Sequence, residues 1–203
     1  RISLSYIPSG YSLNHVLQGD VSTKVEPGYV CPRESGSGIV GYWKFNEGSG
    51  TSVQDYSGNN NIGTIIGSSS WTTGKFGRAL SFDGIDDYVQ VADSNSLDII
   101  NAITISAWVY PLPSAQGDAG IVFKSFSSYG VTYHAGQRYW FYINSGSNNC
   151  NVALTNNAWN FMTVIYDGTQ TQLRCYLNGA LISTKDPSLF NPIGTDSNTL
   201  DFG

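Results

Sequence analysis

The chain of 203 residues alternates short runs of strand-forming residues with turns rich in glycine, asparagine and aspartate. No segment combines apolar residues at helical spacing (i, i+3, i+4, i+7) with a helix cap, so little helix is expected. Many short strands separated by turn signals are typical of a β-sandwich or a barrel. Candidate strands lie at 40–45, 62–66, 79–82, 88–91, 103–110, 120–124, 131–134, 138–143, 151–155, 160–166, 172–177 and 180–183.

Two turns predict which of these strands are hairpin neighbours. Tyr166, Asp167 and Gly168 end one candidate strand just before the next begins. Asn178 and Gly179 form the Asn-Gly pair that favours a type I′ hairpin turn, in which both central residues have positive φ.

The composition excludes two classes of partner. Only 12% of the residues are charged, against about 25% in an average globular protein, and the net charge is −5. No basic cluster is present to neutralise phosphates, so a nucleic acid partner is not expected. No run of about 18 apolar residues is present, so no membrane insertion is expected. A surface that is polar but weakly charged favours an extracellular or cell-surface location.

Three cysteines give an odd count, and none has metal-ligand spacing. We predict a disulfide between Cys150 and Cys175, because both lie near candidate strands of the same half of the chain. The alternatives are buried free thiols and a pairing of Cys31 with either of the other two. In the first prediction Cys31 is unpaired or joined to a residue outside this sequence.

Residues 1–38 differ from the rest and are interpreted as an N-terminal arm before a domain at 39–203. Residues 2–6 (Ile-Ser-Leu-Ser-Tyr) alternate apolar and polar side chains, as a half-buried strand does. The arm ends in turn and linker signals, among them Pro27, Gly28, Pro32 and the Ser-Gly repeat at 35–38. The alternative is an ordinary linker or the remnant of an upstream region.

Five short motifs recur in a fixed order after residue 39, each joining a strand-forming aromatic residue to a turn. They comprise Trp43, Phe45, Glu47, Gly48 and Gly50; Asp55, Ser57, Gly58, Asn59 and Gly63; Gly74, Lys75, Gly77, Ala79, Leu80, Phe82, Asp83, Gly84, Asp87, Tyr88 and Val89; Thr104, Ile105, Ser106, Ala107, Trp108 and Val109; and Trp159, Tyr166, Asp167, Gly168, Tyr176, Asn178 and Gly179. In this order they resemble the laminin-G-like domain of the concanavalin A-like lectin and glucanase group. The resemblance implies an antiparallel jelly-roll β-sandwich over about 39–203.

The family pattern continues with a final strand that this sequence does not contain after Leu200, Asp201, Phe202 and Gly203. A sandwich without that strand would leave backbone groups unpaired. Three explanations stay open: the sequence is a trimmed part of a longer protein, residues 2–6 of a neighbouring copy fill the gap by strand donation, or residues 2–6 of the same chain fill it.

No catalytic residues are predicted. Related glucanases use two glutamates on one strand, but the only glutamates here are Glu26, Glu34 and Glu47, which lie in the arm and the first candidate strand. His134 has no Gly-x-Ser-x-Gly nucleophile turn in the chain to work with.

Two sets of acidic residues are candidate calcium ligands. Asp83, Asp86 and Asp87 share a five-residue turn that contains glycine, and oxygen ligands on a bent backbone suit Ca²⁺. Glu47 and Asp55, with Asn59, form the second set. The resemblance implies calcium in a structural role. The alternative is that these carboxylates cap turns through backbone N–H groups.

A run of aromatic and amide residues between 129 and 151 is the candidate ligand-binding region. In a strand at 138–143, Tyr139, Phe141 and Ile143 share one face and are assigned to the core. Arg138, Trp140 and Tyr142 share the other face, which is typical of an exposed sheet surface. The predicted ligand-binding residues are Tyr133, Arg138, Trp140, Tyr142, Asn148 and Asn149, with the two asparagines in an adjoining loop. Trp43, Phe82 and Trp108 are assigned to the core.

Two functions follow from these patterns. The first is a non-catalytic extracellular or cell-surface module for binding or adhesion, with a glycan or an extracellular protein as its ligand. The alternative is a structural subunit of a surface filament or pilus, which self-assembles through residues 1–38 by strand donation. The position of the strand at 2–6 distinguishes them best.

Overall fold

The computed structural model describes residues 2–3, 38–113, 119–134, 138–144, 146–168, 172–186 and 192–203. At residues 2–3, 146–149 and 151 it describes the backbone alone. The predicted arm is therefore described only at Ile2–Ser3 and residue 38. Cys31, Glu26 and Glu34 lie outside the described residues.

Two antiparallel sheets make up the described fold. The seven-stranded sheet contains β1 (Ile2–Ser3), β4 (Ser70–Thr73), β5 (Arg78–Ser81), β7 (Ala102–Val109), β12 (Asn160–Asp167), β13 (Gln172–Leu177) and β14 (Ala180–Lys185). The eight-stranded sheet contains β2 (Ser52–Val53), β3 (Gly63–Ile66), β6 (Tyr88–Val91), β8 (Ala119–Phe123), β9 (Tyr129–His134), β10 (Arg138–Ile143), β11 (Gly146–Ala153) and β15 (Leu200–Phe202).

The strand order confirms the predicted all-β sandwich. In space the first sheet runs β14-β13-β12-β7-β1-β5-β4 and the second runs β11-β10-β9-β8-β15-β6-β3-β2. Sequence neighbours such as β9 and β10 are often adjacent, whereas β15 inserts between β8 and β6. The only helical element in the described part is a 3₁₀ turn at Asn95–Leu97.

Most candidate strands are present within two residues of their predicted bounds, but β2, β4 and β15 were not predicted and β11 begins five residues earlier than expected. The hairpin between β13 and β14 is confirmed, with positive φ at Asn178 (50°) and Gly179 (83°).

Large aromatic side chains fill the space between the sheets, and their polar atoms find partners there. Trp43 is 1% exposed, and its Nε1–H donates to the carbonyl of Asn61 at 2.7 Å. The Tyr129 hydroxyl donates to the carbonyl of Leu97 at 3.0 Å, and the Tyr139 hydroxyl to that of Tyr176 at 2.8 Å. Each ring thus gains the free energy of apolar burial, about 1.5–3 kcal/mol, without leaving a buried donor unpaired.

The predicted strand at 40–45 is wrong. Its only ladder contact is an isolated antiparallel bridge between Trp43 and Asp55. The backbone N–H of Tyr42 donates to the Asp55 carboxylate at 2.9 Å instead of to a neighbouring strand, and Phe45 has a φ of 53°. A positive φ is incompatible with a regular strand, so the segment packs Trp43 and Phe45 into the core as an irregular chain.

Trp108 corrects a second prediction, because it lies outside the core. Ile105 and Ala107 of β7 are buried between the sheets, so Trp108 points to the outer side of the seven-stranded sheet. It is half-buried there by Phe76 and Phe161, whose ring centroids lie 5.9 and 5.1 Å from its own. The assignment of Trp43 to the core is confirmed.

The predicted disulfide between Cys150 and Cys175 is present. It joins β11, at one edge of the eight-stranded sheet, to β13 of the other sheet. Its half-cystines are 1% and 0% exposed. The bond therefore ties the two layers together at one side of the core.

Candidate ligand-binding surface

Strands β9 and β10 place alternate side chains on the outer face of the eight-stranded sheet. Tyr139, Phe141 and Ile143 are fully buried, so Arg138, Trp140 and Tyr142 face outward, as the alternation predicted. In the β9–β10 register, Arg138 lies opposite His134, and Trp140 lies opposite Thr132.

Five rings gather on this outer face, and we call them the aromatic patch: Phe123, Phe126, His134, Trp140 and Tyr142. Phe126 lies 4.9 Å from Phe123 and 5.1 Å from Tyr142 between ring centroids, in edge-to-face contacts. His134 stacks on Trp140 with the centroids 3.9 Å apart. Phe126 is 57% exposed, which makes it the most accessible ring of the patch.

Hydrogen bonds hold the centre of the aromatic patch in one geometry. Nε2 of His134 lies 2.9 Å from Oγ1 of Thr132 and 3.0 Å from the hydroxyl of Tyr142. The contact with Tyr142 joins β9 to β10, and the same His134 ring is stacked on Trp140. A ligand that binds rings already fixed in place loses less conformational entropy than one that must order them.

Gly130 makes room for the patch. It lies opposite Phe123 and Tyr142 in the register. A Cβ atom at this position would collide with the Phe123 ring. Only glycine therefore lets the ring of Phe123 lie flat across β9 and reach the other aromatic residues.

The structure changes the predicted set of ligand-binding residues. Tyr133 is a correction: it is 6% exposed on the core face, opposite Tyr139, and so cannot line the surface. Asn148 and Asn149 lie in β11 and not in a loop, with Asn148 opposite Phe141, and their side chains lie outside the described part. That Arg138, Trp140 and Tyr142 bind a ligand stays a prediction.

Sequence reasoning missed Phe123 and Phe126, which belong to β8 and the loop after it. Only the register between β8 and β9 brings them beside Tyr142. The available signal was the Phe-Lys-Ser-Phe run at 123–126, whose two rings are separated by polar residues.

Asp201 lies on the same outer face, opposite Phe123 and Gln90 in the strand register. Burial raises the pKa of its carboxyl group above the usual value, although hydrogen bonds from Thr199 and Gln90 act in the opposite direction. Its Oδ1 atom is buried without a hydrogen-bond partner among the described residues. The ionised form is therefore disfavoured by the fold.

We predict that Asp201→Asn stabilises the protein at pH 7 by up to about 1 kcal/mol, because the group is half-exposed and its burial cost is partly screened. A carboxyl group whose pKa is raised in the folded state lowers the free energy of unfolding at pH values above that pKa. This cost disappears at low pH, where the carboxyl group is protonated in both the folded and the unfolded state. The gain should therefore vanish below about pH 4, near the unfolded-state pKa of aspartate. Thermal unfolding of both proteins from pH 3.5 to 7 measures this, and an equal gain at every pH would contradict it.

The acidic turn at Asp83–Asp87 brings one carboxylate oxygen from each of Asp83, Asp86 and Asp87 within 4.8 Å of one another. Asp87 is 6% exposed and accepts hydrogen bonds from the N–H groups of Ser68 and Asp83. Asp83 accepts from the N–H of Ile85 at 2.8 Å. Asp83 and Asp87 therefore stabilise the turn by accepting backbone hydrogen bonds, and this role does not require a cation. Calcium at this turn stays a prediction.

The second predicted calcium set serves the irregular segment after residue 38. Asp55 accepts four hydrogen bonds, from the N–H groups of Tyr42, Ser57 and Asn61 and from the Ser57 hydroxyl, at 2.7–2.9 Å. Glu47 accepts from the N–H of Gln54 at 3.0 Å. These bonds account for Asp55 as a structural residue, and calcium binding here also stays a prediction.

A buried lysine forms a charged cluster that the sequence did not reveal. Lys124 follows β8, and its side chain is fully buried. Its ammonium group lies 2.6 Å from Asp93, 3.6 Å from Asp98 and 3.9 Å from Asp196, and it donates to the carbonyl of Asn198 at 3.0 Å. The cluster joins three loops at one end of the sandwich.

Hydrogen bonds hold Asp196 in its ionised form within this cluster. Burial alone would raise the pKa of its carboxyl group, but bonds from the hydroxyl of Ser125, the backbone of Asn198 and the hydroxyl of Ser127 outweigh it and lower the pKa. The site therefore keeps a carboxylate facing the ammonium group at neutral pH. Because the ammonium group is fully buried, the arrangement is assigned a structural role.

An antiparallel jelly roll with a preorganised aromatic surface on one sheet is the architecture of this chain. The family model of the concanavalin A-like lectin/glucanase superfamily matches residues 83–202, which is more than half of the sequence. The chain belongs to this superfamily. A search of curated proteins found no match.

Solved structures with a similar fold include binding domains of toxins and one domain of an arabinanase. The botulinum neurotoxin serotype G binding domain is 18% identical, with 80% of this chain and 42% of that chain covered and a TM-score of 0.63. The binding domain of Paraclostridial mosquitocidal protein 1 is 15% identical, with 76% and 42% covered and a TM-score of 0.62. Domain 4 of AbnA, a GH43 extracellular arabinanase from Geobacillus stearothermophilus, is 18% identical, with 74% and 77% covered and a TM-score of 0.58.

At 15–18% sequence identity, these structural similarities show that the fold is shared. The present chain spans about 42% of the length of the two toxin binding domains. Within its described residues, no helix combines the length and the apolar character needed to cross a membrane.

Proposed function

We propose that the chain is a non-catalytic glycan-binding module of an extracellular or cell-surface protein, and that the aromatic patch is its binding surface. The observation that carries this proposal is the exposed ring of Phe126 beside the fixed rings of Trp140 and Tyr142. Contiguous aromatic surface on a folded sheet is typical of a binding site, because soluble proteins rarely expose large apolar patches to water.

The chemistry of the surface suits a sugar. The apolar C–H face of a pyranose or furanose ring can stack on Phe126 or Trp140, while hydroxyl groups need polar partners nearby. One such partner lies at the end of the patch: Arg138, which is exposed and forms no ion pair with any described residue. A mostly apolar platform with a few polar groups at fixed positions is the usual composition of small-ligand sites.

The comparisons support the same ligand class. The arabinanase domain was solved in complex with arabinotriose. One botulinum neurotoxin binding domain, 19% identical over 77% of this chain with a TM-score of 0.55, was solved in complex with SialylT. The fold is thus compatible with carbohydrate ligands, and the residues that would bind them here are those of the aromatic patch.

The test is a glycan array followed by calorimetric titration with the glycan that binds best. Trp140→Ala should weaken binding at least tenfold, which corresponds to about 1.4 kcal/mol and is typical of a central aromatic contact. Leu181→Ala is the matched control, because Leu181 is 53% exposed but lies in β14 of the other sheet. It should leave affinity unchanged.

Phe126→Ala separates a binding defect from a folding defect. Phe126 is exposed, so its removal should weaken binding and leave the melting temperature within about 2 °C of the wild type. No binding to any glycan, or binding that survives both aromatic substitutions, would contradict the proposal. A protein ligand that needs the same residues would overturn the glycan assignment.

The filament subunit stays an alternative hypothesis. It requires the arm of one copy to reach another copy, whereas Ile2–Ser3 pairs with strands of its own chain.

A further inference from the structure

The aromatic patch contains one ring that burial does not hold in place. Phe126 is 57% exposed and touches Phe123 and Tyr142 in edge-to-face contacts, with centroids 4.9 and 5.1 Å from its own. Because more than half of the side chain stays in water, these contacts supply only part of the free energy that full burial would give. The position of the ring therefore depends on its loop, which joins β8 to β9 at residues 124–128.

Asp196 binds this loop on both sides of Phe126. The hydroxyl groups of Ser125 and Ser127 both donate to Oδ2 of Asp196, the second at 3.1 Å. The ionised carboxylate can only accept hydrogen bonds, so both serines direct their hydroxyl groups to it. Hydrogen bonds to an ionised acceptor are about twice as strong as those between neutral groups. One carboxylate thus fixes both sequence neighbours of the exposed ring.

The carboxylate of Asp196 is itself held from the opposite side. Its Oδ1 atom accepts from the backbone N–H of Asn198 at 3.0 Å and lies 3.9 Å from the ammonium group of Lys124. The same ammonium group donates to the carbonyl of Asn198 at 3.0 Å. Because both of its oxygen atoms are engaged, the carboxylate has little freedom to move and can serve as an anchor for the loop.

The segment that carries Asp196 also packs against the loop and against the end of β10. The side chain of Asn144, the residue after β10, accepts from the N–H of Gly194 and donates to the carbonyl two residues earlier. The backbone N–H of Asn144 donates to the carbonyl of Ser128 at 3.1 Å. A Cβ atom at Gly194 would collide with the carbonyl oxygen of Ser127. The segment, the loop and the strand of the patch therefore form one connected unit.

We propose that Asp196 is a positioning residue for ligand binding, which holds Phe126 in the aromatic patch through Ser125 and Ser127 before any ligand arrives. Its importance for binding rests on the proposed function of the patch. A ring that is already in place need not be ordered when the ligand binds, which raises the affinity about threefold to tenfold for one side chain. The charged cluster at this end of the sandwich thus acts on the binding surface without touching the ligand.

NMR spectroscopy of the free protein tests the position of the ring without any ligand. In the wild type, nuclear Overhauser effects should connect the ring protons of Phe126 with those of Tyr142. Asp196→Ala should abolish them. Ser125→Ala with Ser127→Ala should do the same, and this second variant keeps the charged cluster intact if Asp196→Ala does not fold. Effects that persist when the two serines are replaced would overturn the proposal.

Asp93→Ala is the matched control for a general weakening of the cluster. Asp93 lies closer to the ammonium group of Lys124 than Asp196 does, at 2.6 Å, but makes no hydrogen bond to residues 125–128 within the described structure. Its removal should lower the melting temperature and leave the contacts between Phe126 and Tyr142 unchanged. Loss of these contacts in Asp93→Ala would overturn a specific role for Asp196.

A double-mutant cycle links the position of the ring to binding. In calorimetric titrations with the array glycan chosen for Trp140→Ala, Asp196→Ala should weaken binding about threefold to tenfold. In a Phe126→Ala background it should cause no further loss, since it acts through that ring. Equal losses in the two backgrounds would overturn the proposal. If no glycan binds the wild type, the proposed function fails, and the NMR contacts alone decide whether Asp196 positions Phe126.

Discussion

Replacement of Lys124 by alanine is expected to lower the free energy of unfolding by about 3 kcal/mol at pH 7. The ammonium group is the only cation paired with Asp93, Asp98 and Asp196 among the described residues, and its side chain is fully buried. Without it, three carboxylates face one another at the same end of the sandwich. The loss of one partner of a buried ion pair costs more than the pair itself contributes, because the remaining charge stays in a poorly solvated site.

Chemical denaturation of the variant and the wild type at pH 7 measures this effect. Lys124→Met keeps most of the apolar stem and separates the loss of charge from the loss of packing.

Lys185→Ala is the control for charge alone. Lys185 is exposed at the end of β14, and its removal should change stability by no more than about 0.5 kcal/mol. If Lys124→Ala is as stable as Lys185→Ala, the charged cluster does not hold the loops together. If Lys124→Met is as unstable as Lys124→Ala, the missing charge and not the missing stem is responsible.

Loss of the disulfide is expected to cost about 3.5 kcal/mol, the value the chain-entropy model gives for a closed loop of about 25 residues. The variant is Cys150→Ala with Cys175→Ala, and the sequence separation of the two cysteines is 25. The bond ties the edge strand β11 to β13 in the opposite layer. Its removal increases the conformational entropy of the unfolded chain and so lowers the free energy of unfolding. Denaturant unfolding of the variant and the wild type measures the difference.

Reduction is the control for this prediction, because it breaks the bond but keeps both sulfur atoms in the core. The reduced wild type should lose most of the same stability, and the reductant should leave the double-alanine variant unchanged. A wild type whose stability does not respond to reduction under denaturing conditions would contradict the prediction. If the double-alanine variant is much less stable than the reduced wild type, the additional loss of stability comes from the missing packing of the two sulfur atoms.

The alternation of side chains along one strand was predictable because it is local. A strand repeats every two residues, so Tyr139 and Phe141 had to face one way and Trp140 and Tyr142 the other once 138–143 was assigned as a strand. The same rule could not place Trp108, since it separates two faces of a strand but does not say which face is the core. Trp108 was assigned to the wrong one.

Partners distant in sequence were not predictable from pattern alone. Lys124 meets Asp93 and Asp196 across separations of 31 and 72 residues, and no spacing in the sequence indicates those contacts. The segment at 40–45 had strand-like residues but found the Asp55 side chain and not a neighbouring strand. Strand propensity describes how well a residue fits a sheet and not whether a partner strand is available.

By itself, the sequence determined the all-β class, the superfamily and the alternation of side chains along β10, because each depends on local periodicity or on a set of motifs in a fixed order. Only the tertiary structure decided which rings join Trp140 and Tyr142, which carboxylates surround Lys124, and where Ile2–Ser3 lies. The physical reason is that strand order and register arise from contacts between segments far apart in the chain, and such contacts are set by how the whole core packs.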